Sequence, residues 1–416
     1  MKVLTVDVGT GTQDIYLYNS EVDMENGFKL VVPSPTMMVF RRLRDASRKG
    51  LPVVLTGVTM GGGPSHWAAR DHAQAGHAVY ATPDAARSFD DQLAEVEESG
   101  IQVISEEEAR TLPGDVQRIE LRDFDFQAIT RALGEFGVDL QDLDAAAVAV
   151  FDHGAAPPGY SDRQFRFDYL AERLPAKGKL SDPEQSPLSA LAFRRGEIPA
   201  EMTRLRAVER SADDIDAPLV VMDTAPAAVL GATLDERVRR LKRQLIANLG
   251  NFHTLAFLLN DGHVEGVFEH HTGLLTVEKV DQLLRSFAAG ELSHEQVFGD
   301  HGHGALLHPG RPYPLGEGAF DVAVTGPRRM MMAESSLRPY YVAPFGDMML
   351  VGALACWQQL PMCCLRCESP SGLPFAGREV PAHLPGKSAR SADNIPGLVD
   401  AVRRAQNNQA ISTGKG

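Results

Sequence analysis

The chain has 416 residues, 44% of them hydrophobic and 23% charged, which is ordinary for a globular protein of two or three domains. Its formal net charge of −14 argues against nucleic acid or an anionic membrane as a partner. No apolar run approaches the roughly 20 residues that span a bilayer. The N-terminus enters a strand without a basic region or cleavage site, so we expect no secretory signal and a cytoplasmic protein.

The first predicted element is a hairpin around a glycine-rich turn. A β-branched, apolar run at residues 3–6 predicts a buried strand that ends at Asp7, and the alternating run at residues 14–18 predicts its return. The turn carries two glycines and two threonines, Gly9, Thr10, Gly11 and Thr12. Such a turn can cradle a phosphate with its N–H groups, and a carboxylate beside it can hold hydrated Mg²⁺. An ordinary glycine-rich hairpin without a ligand is the alternative.

A second glycine-rich turn lies at residues 60–65, between a strand predicted at residues 52–57 and a helix. Pro64 suits the first position of this helix, and Gly76 ends it. A backbone turn at a helix N-terminus can bind an anion. A tight connection without a ligand fits these residues equally well.

Strands and a small-residue helix are predicted through the middle of the chain. The strand at residues 145–151 ends in Asp152, at the kind of strand end where open α/β sheets bind ligands. Residues 155–216 are rich in proline and charge, and we interpret them as helices with a long loop, an insertion or a lid. After a strand at residues 218–223, the small residues at 226–232 predict a helix that another helix can approach closely.

A second meander repeats the N-terminal pattern of strands around a polar, glycine-bearing turn. Its strands are predicted at residues 244–248, 255–259 and 263–269. The repeat suggests an internal duplication, with one hairpin in each half. A strand at residues 321–325 and a small-residue helix at residues 348–357 follow, and the proline- and serine-rich chain from 368 onward is predicted to be a loose tail.

The four cysteines, at positions 356, 363, 364 and 367, are too close together for the disulfide framework of a secreted fold. Cys364 and Cys367 have the spacing of half a zinc site, but no second pair of ligands follows them. The Cys-x₃-Cys-x₂-Cys spacing of an iron–sulfur cluster is missing. We therefore expect reduced thiols that bind no metal, and no iron–sulfur cluster.

Histidines recur at predicted strand ends and loops: His153, His253, His270, His271, His301 and His303. Acidic residues accompany them at Asp152, Glu269 and Asp300. Histidine is a general acid or base and a common metal ligand. We consider a metal site at His301 and His303, proton transfer or phosphate contact, and solvated side chains as alternatives. We predict that the histidines of the second half converge near Asp7.

The order of these motifs resembles the actin, sugar-kinase and heat-shock-chaperone ATPase superfamily over residues 1–357. Five stretches carry the resemblance: 7–12 match its first phosphate hairpin, 223–232 its first connecting helix, 248–254 the place of its second hairpin, 324–328 its adenosine motif and 346–355 its second connecting helix. More closely, the chain is similar to a prokaryotic family often labelled as pyruvate formate-lyase activating enzymes. Those activases are radical enzymes that need the cysteine spacing missing here, so we do not expect that activity.

The resemblance implies an α/β fold of two ribonuclease-H-like domains, the actin-like ATPase fold, on either side of an interdomain cleft. The first domain would cover residues 1–217 with the insertion at 155–216, and the second would cover residues 218–345. A returning helix at 346–367 and the tail at 368–416 would follow.

The resemblance also implies a site for ATP and Mg²⁺, with Asp7 holding the metal through water. The nucleotide-binding residues would be Gly9, Thr10, Gly11, Thr12, Gly250, Asn251, His253, Thr254, Thr325, Gly326, Arg328, Gly346 and Asp347. The catalytic residues would be Asp7, Asp152, Glu269 and His271, with Asp152 or Glu269 as the base.

These residues favour a Mg²⁺-dependent ATP-binding protein, a phosphotransferase or ATPase that acts on an unknown small molecule without a nucleic-acid or membrane partner. Asn248 departs from the superfamily, whose second hairpin starts with an aspartate, and it adds no charge near a metal. This departure favours a nucleotide-switched binding or assembly protein with little chemistry. The histidines favour an enzyme, with a histidine- or metal-dependent hydrolase as the third hypothesis.

Overall fold

The structure, a computed structural model, describes residues 1–174, 187–348 and 351–353. The four cysteines, the predicted tail and most of the helix predicted at residues 348–357 lie outside the described residues. Every described residue belongs to one compact unit, Met1–Glu368. No helix in this described part of the chain has both the length and the apolar character needed to cross a membrane.

The chain begins with an antiparallel meander and one long helix. These elements are β1 (Lys2–Val8), β2 (Thr12–Asn19), β3 (Phe28–Pro33) and α1 (Pro35–Lys49). α1 starts at a proline and ends before Gly50, whose φ of 65° is the left-handed conformation that glycine tolerates. Val39, Leu43 and Ala46 recur at helical spacing and are buried, so one face of α1 packs on the core.

A separate four-stranded sheet is inserted between β3 and the remaining strands of the first sheet. Its elements are β4 (Val53–Gly57), α2 (Pro64–Gln74), β5 (Val79–Ala81), α3 (Pro83–Ala86), α4 (Leu93–Glu98), β6 (Gln102–Val103), α5 (Glu106–Thr111) and β7 (Gln117–Leu121). The strands are parallel, in the order β6-β5-β4-β7. The helix predicted to begin at Pro64 is confirmed, with the glycine turn at its N-terminus.

The first sheet is completed after this insertion. The elements are α6 (Phe126–Gly134), β8 (Ala145–Val150), α7 (Asp162–Arg173), β9 (Ala192–Arg194), α8 (Thr203–Ser211), β10 (Leu219–Asp223) and α9 (Thr224–Ala232). The strand order is β3-β2-β1-β8-β10-β9, with β1 antiparallel to β2 and parallel to β8. Every residue of β8 is buried, because this alanine- and valine-rich strand has both faces covered. From the predicted insertion at residues 155–216, β9 joins the first sheet by pairing with β10. The domain boundaries stay a prediction.

The second sheet repeats the antiparallel three-stranded meander of the first. Its elements are β11 (Arg243–Leu249), β12 (His253–Asn260), β13 (His263–His271), α10 (Val277–Ala289), α11 (His294–Gly299), β14 (Gly304–Leu307), β15 (Val322–Thr325) and β16 (Pro339–Tyr341). The order is β14-β13-β12-β11-β15-β16, with β11 antiparallel to β12 and parallel to β15. In both sheets the first strand is antiparallel to the second and parallel to a later strand on its other side, β8 in the first sheet and β15 in the second, as in ribonuclease-H-like sheets. The predicted α/β fold class is confirmed, and the internal duplication stays an interpretation.

The small residues of α9 allow a close backbone crossing. A Cβ at Gly231 would overlap the backbone oxygen of Val351, so only glycine fits there. Val351 belongs to the helical residues 351–353. The close approach predicted for this small-residue helix is confirmed.

Candidate functional site

A cleft of about 800 Å³ collects most of the residues predicted for the site. Both hairpin turns and the glycine turn before α2 line it. Among the predicted residues, its lining contains Asp7, Gly9, Thr10, Gly11, Thr12, Asp152, Gly250, Asn251, His253, His271, His303, Thr325 and Gly326. Outside the lining lie Thr254, Glu269, Arg328, Gly346, Asp347 and His301.

The two hairpin turns have the same backbone hydrogen bond. The N–H of Gly9 donates to the carbonyl oxygen of Thr12, and the N–H of Gly250 donates to that of His253, both at 2.9 Å. A Cβ at Gly11 would lie 3.4 Å from Asn251 Nδ2, so the turns face each other at near contact distance. A ligand bound between them can touch both.

Asp7 lies at the end of β1, partly exposed to the cleft. Its Oδ1 accepts a 2.5 Å hydrogen bond from Thr224 Oγ1, and a Cβ at Gly352 would overlap its Oδ2. Burial raises the pKa of Asp7 to about 6, because it removes water from the ionised carboxylate. Asp14 stands directly opposite in the hairpin, where burial and then the charge of Asp7 raise its pKa to about 7. Two adjacent carboxylates without a compensating charge suit a hydrated Mg²⁺.

The predicted adenosine motif packs against the second hairpin. Gly326 follows β15 with a φ of 95°, and a Cβ there would overlap Asn248 Oδ1 and the Leu249 carbonyl oxygen. Arg328 is exposed, and its backbone N–H donates to the Leu249 carbonyl at 2.9 Å. The neighbouring Arg329 lines the cleft in its place. Glycine is thus required where the motif predicts it, while the arginine that reaches the cleft is one position further along.

Three predicted nucleotide ligands make other contacts. Asp347 forms an ion pair with Lys29 at 3.3 Å. Thr254 is buried, and its hydroxyl oxygen lies 2.9 Å from that of Thr272. Gly346 is exposed, with a φ of 75°. None of these three residues lines the cleft, and their predicted nucleotide contacts stay predictions.

Arg166 is a buried charged residue that the sequence analysis missed. It is 2% exposed, and it pairs with Asp223 at 2.5 Å and with Glu269 at 3.2 Å. It also donates to the Asp152 carbonyl oxygen at 3.1 Å. One guanidinium on α7 thus joins β10 of the first sheet to β13 of the second. No local motif indicates this contact, because the partners are far apart in the sequence.

The two carboxylates predicted as alternative bases are both engaged. The Asp152 oxygens accept hydrogen bonds from the backbone N–H groups of Gly154 and Leu205, both at 2.9 Å. Burial acts to raise the pKa of Glu269, but the charge and hydrogen bond of Arg166, together with His303 and His253, outweigh it and the pKa falls to about 2. A carboxylate with so low a pKa is a weak proton acceptor. Both carboxylates thus make contacts within the protein, although Asp152 also lines the cleft.

Three of the predicted histidines converge. His253 opens β12 opposite His271 at the end of β13, and His303 directly precedes β14. The ring centroids of His253 and His271 are 5.3 Å apart. The ring centroid of His303 lies 4.9 Å from that of His253 and 4.6 Å from that of His271. One nitrogen of each ring lies within 4.8 Å of the others. Burial lowers the pKa of His253 to about 4 and that of His303 to about 3, so both rings are neutral at pH 7.

His270 and His301 do not join this cluster. Successive side chains of a strand point to opposite faces, so His270 lies on the other face of β13, where its Nε2 is 3.1 Å from Asp300 Oδ2. His301 is exposed and has a φ of 62°. His301 therefore does not lie with His303 as the considered metal pair requires. Three of the histidines converge and line the same cleft as Asp7, and their closeness to Asp7 stays a prediction.

Asp14, Thr224 and Gly352 are further site residues that the sequence analysis missed. Hairpin register could have found Asp14, because a tight turn after Asp7 brings it back directly opposite. Thr224 begins α9 and Gly352 lies in the helical residues 351–353, so both reach the first hairpin only through the tertiary fold.

Comparison with known protein families gives one match. A family model described as "Putative pyruvate format-lyase activating enzyme (DUF1786)" matches residues 60–331. A search of curated proteins gives no significant match.

Three solved structures show a distant likeness. A ROK family transcriptional regulator, a homolog of the E. coli MLC protein, is 9% identical over 63% of this chain and 37% of that chain, with a TM-score of 0.22. The activator of the 2-hydroxyisocaproyl-CoA dehydratase from Clostridium difficile, with bound ADPNP, is 10% identical over 86% and 92%, with a TM-score of 0.29. A ROK hexokinase from Thermus thermophilus is 13% identical over 86% and 100%, with a TM-score of 0.26. At such TM-scores the assignment of the fold rests on the strand order.

Proposed function

The chain belongs to the DUF1786 family, and we propose that it binds an adenine nucleotide with Mg²⁺ in its cleft and transfers or hydrolyses the terminal phosphate. The acceptor would be a small molecule or water. One observation carries the proposal: two turns of the same geometry, one from each ribonuclease-H-like sheet, face each other at near contact distance.

The first turn would take the metal and the phosphate chain. Its backbone N–H groups and the hydroxyls of Thr10 and Thr12 would donate hydrogen bonds to phosphate oxygens. Asp7 and Asp14 fit a cation, because burial raises the pKa of both carboxyl groups. They would hold Mg²⁺ through water. A bound Mg²⁺ neutralises charge on the phosphate oxygens during transfer.

The second turn would close on the nucleotide from the opposite side. The Asn251 amide faces the first turn and can donate to a phosphate oxygen. Gly326 lines the cleft and packs against Asn248 and the Leu249 carbonyl, which places the end of β15 beside the second turn, where an adenine base would lie. Positioning of this kind supplies most of the catalysis in phosphoryl transfer.

The attacking hydroxyl or water needs a proton acceptor within hydrogen-bond reach. Asp152 and Glu269 are engaged elsewhere, so we place this role at the histidine cluster, on a free ring nitrogen or on a water molecule that the cluster holds. His271 is partly exposed and lines the same cleft as Asp7.

A nucleotide-switched binding protein is the second candidate. Asn248 favours it, because this residue stands at the position equivalent to Asp7 and gives the second turn no carboxylate. In that case the nucleotide would bind tightly and turn over slowly.

Other expectations from the sequence stay predictions. We do not propose the radical activase of the family description, because the sequence lacks the Cys-x₃-Cys-x₂-Cys spacing. The cytoplasmic location, the domain boundaries and the small-molecule partner are untested.

Filling the space between the turns tests the nucleotide site. Gly11→Leu should weaken ATP binding at least tenfold, about 1.4 kcal/mol, because the side chain would lie between the turns. Gly134→Leu is the matched control, since this exposed glycine of α6 has no atom near its Cβ position. Calorimetry with ATP and a non-hydrolysable analogue, both with Mg²⁺, measures the effect.

The outcomes separate the two candidates. Absence of binding by the unmodified protein contradicts both, and equal binding by Gly11→Leu places the nucleotide elsewhere. Phosphate release from bound ATP favours the enzyme, and tight binding without release favours the switch.

A further inference from the structure

We propose that His253, His271 and His303 bind a divalent transition-metal ion of the zinc class, with one coordination position left for water or a substrate oxygen. Nucleotide binding does not enter this proposal. Its ligands differ from the carboxylates proposed for Mg²⁺.

The three rings are held by neighbouring strands at one end of the second sheet. His253 and His271 are directly paired between β12 and β13, and the backbone N–H of His303 donates to the Glu269 carbonyl oxygen at 2.9 Å. One nitrogen from each ring lies within 4.8 Å of the others. Tetrahedral zinc with bonds of about 2.0–2.1 Å needs nitrogens about 3.3 Å apart, which small side-chain rotations supply.

Glu269 lies behind two of these rings with one oxygen unused. Its Oε1 is 3.8 Å from His303 Nδ1 and 4.0 Å from His253 Nδ1. Within the described residues, Oε1 and His303 Nδ1 are both buried without a hydrogen-bond partner. Metal-binding histidines commonly donate their second N–H to a carboxylate, which fixes the ring and its tautomer. If a metal binds Nε2 of His303, the Nδ1–H of that ring can donate to Glu269 Oε1, and both unpaired atoms gain a partner.

The buried charges behind the rings favour a cation. Arg166 pairs with both Asp223 and Glu269, so this buried group carries one negative charge in excess. Arg163 adds a positive charge near His271, but it is only partly buried and lies on the Gly302 carbonyl. A bound divalent ion would compensate the buried negative charge.

The loop that presents His303 is packed tightly. A Cβ at Gly302 would lie 2.6 Å from Val297 Cγ1 and 2.7 Å from His270 Cδ2, so a larger residue does not fit. Arg163 Nη1 donates to the Gly302 carbonyl oxygen at 2.6 Å. His303 is thus fixed on the inner side of the loop.

The ligand set indicates the class of metal. Imidazole nitrogens suit zinc and similar transition metals, whereas Mg²⁺ prefers oxygen. Three protein ligands leave a fourth position, as in catalytic zinc sites. Since all three histidines line the cleft, that position can take water or an oxygen of the molecule bound there.

Metal binding by the full-length protein, freed of metal with a chelator and kept without nucleotide, tests the proposal. Zn²⁺ is titrated against a chromophoric chelator, and Co²⁺ is added separately to report the ligands by its visible spectrum. We expect one Zn²⁺ per chain at the histidines, and a Co²⁺ spectrum without the thiolate charge-transfer band that the cysteines would give. His271→Ala and His303→Ala should each weaken Zn²⁺ binding at least tenfold.

His301→Asn is the matched control, because this exposed residue lies two positions from His303 and asparagine tolerates its left-handed backbone. It should bind Zn²⁺ like the unmodified protein. His271→Ala carries the test if the buried His303 variant fails to fold. Unchanged Zn²⁺ affinity in His271→Ala, a thiolate spectrum alone, or no binding above the chelator background would overturn the proposal. None of these results bears on ATP binding, which calorimetry measures separately.

Discussion

The two hairpin turns share a backbone but not their side chains. Asp7 faces Asp14 across the first hairpin, and Asn248 faces Leu255 at the equivalent positions of the second. The first turn thus has two carboxylates beside it and the second has none. The second carries His253 instead, at the edge of the histidine cluster.

This difference shows how a duplicated backbone can serve two kinds of chemistry. The repeated hairpin fixes where a ligand can touch both turns, and the side chains decide what each turn binds. Carboxylates suit a hard, oxygen-bound cation, while neutral imidazoles suit a transition metal or a proton transfer. We infer that the cleft is divided into an acidic side and a histidine side.

Removing the ion pair that joins the two sides should have the largest effect. Arg166→Met should lower the free energy of unfolding by about 3–5 kcal/mol, because it leaves Asp223 and Glu269 buried without their partner. Denaturant unfolding measures the change. Arg48→Met is the control: its 3.0 Å pair with Asp45 is exposed, so we expect a loss of at most about 1 kcal/mol. Equal effects of the two variants would show that the buried pair does not hold the halves together.

The acidic side should show itself in the pH dependence of stability. With EDTA and no nucleotide, the folded protein retains a proton on Asp14 between about pH 4 and pH 7, since its pKa is raised from 3.8 to about 7. The unfolded chain has released that proton, so stability should fall as the pH rises through this window. Asp14→Asn should flatten the slope and add about 1 kcal/mol at pH 8, a figure reduced for partial exposure.

Thermal unfolding from pH 4 to pH 8 checks this expectation. Asp115→Asn, at an exposed carboxylate, is the control and should leave the slope unchanged. Asp7, whose pKa burial raises to about 6, should leave a smaller slope of the same sign in Asp14→Asn. A slope as steep as that of the unmodified protein would show that Asp14 does not retain its proton.

Local patterns allowed much of the fold to be predicted. The hairpins, the small-residue helix α9 and the glycine at 326 follow from residue type and spacing within short stretches. Contacts between distant segments did not follow from any local pattern. Arg166 meets Glu269, and Gly352 packs on Asp7, only because strands and helices from both ends of the chain meet.

The histidines show the same limit at short range. The sequence gives no reason to prefer His303 to His301, because both lie in one glycine-rich loop. The left-handed φ of 62° at His301 and the close packing of Gly302 turn only His303 inward. Such conformations depend on what the loop packs against, which a single sequence does not reveal.

The reciprocal exchange of the two equivalent residues tests the central claim most directly. ATP binding is measured by calorimetry with and without Mg²⁺ for the unmodified protein, Asp7→Asn and Asn248→Asp. We predict that Mg²⁺ raises the affinity of the unmodified protein and of Asn248→Asp at least about tenfold. Asp7→Asn should lose this gain and keep its Mg²⁺-free affinity, because the carboxylate that orders the hydrated metal is gone. A full Mg²⁺ effect in Asp7→Asn would contradict the assignment of the metal and the phosphates to the first hairpin.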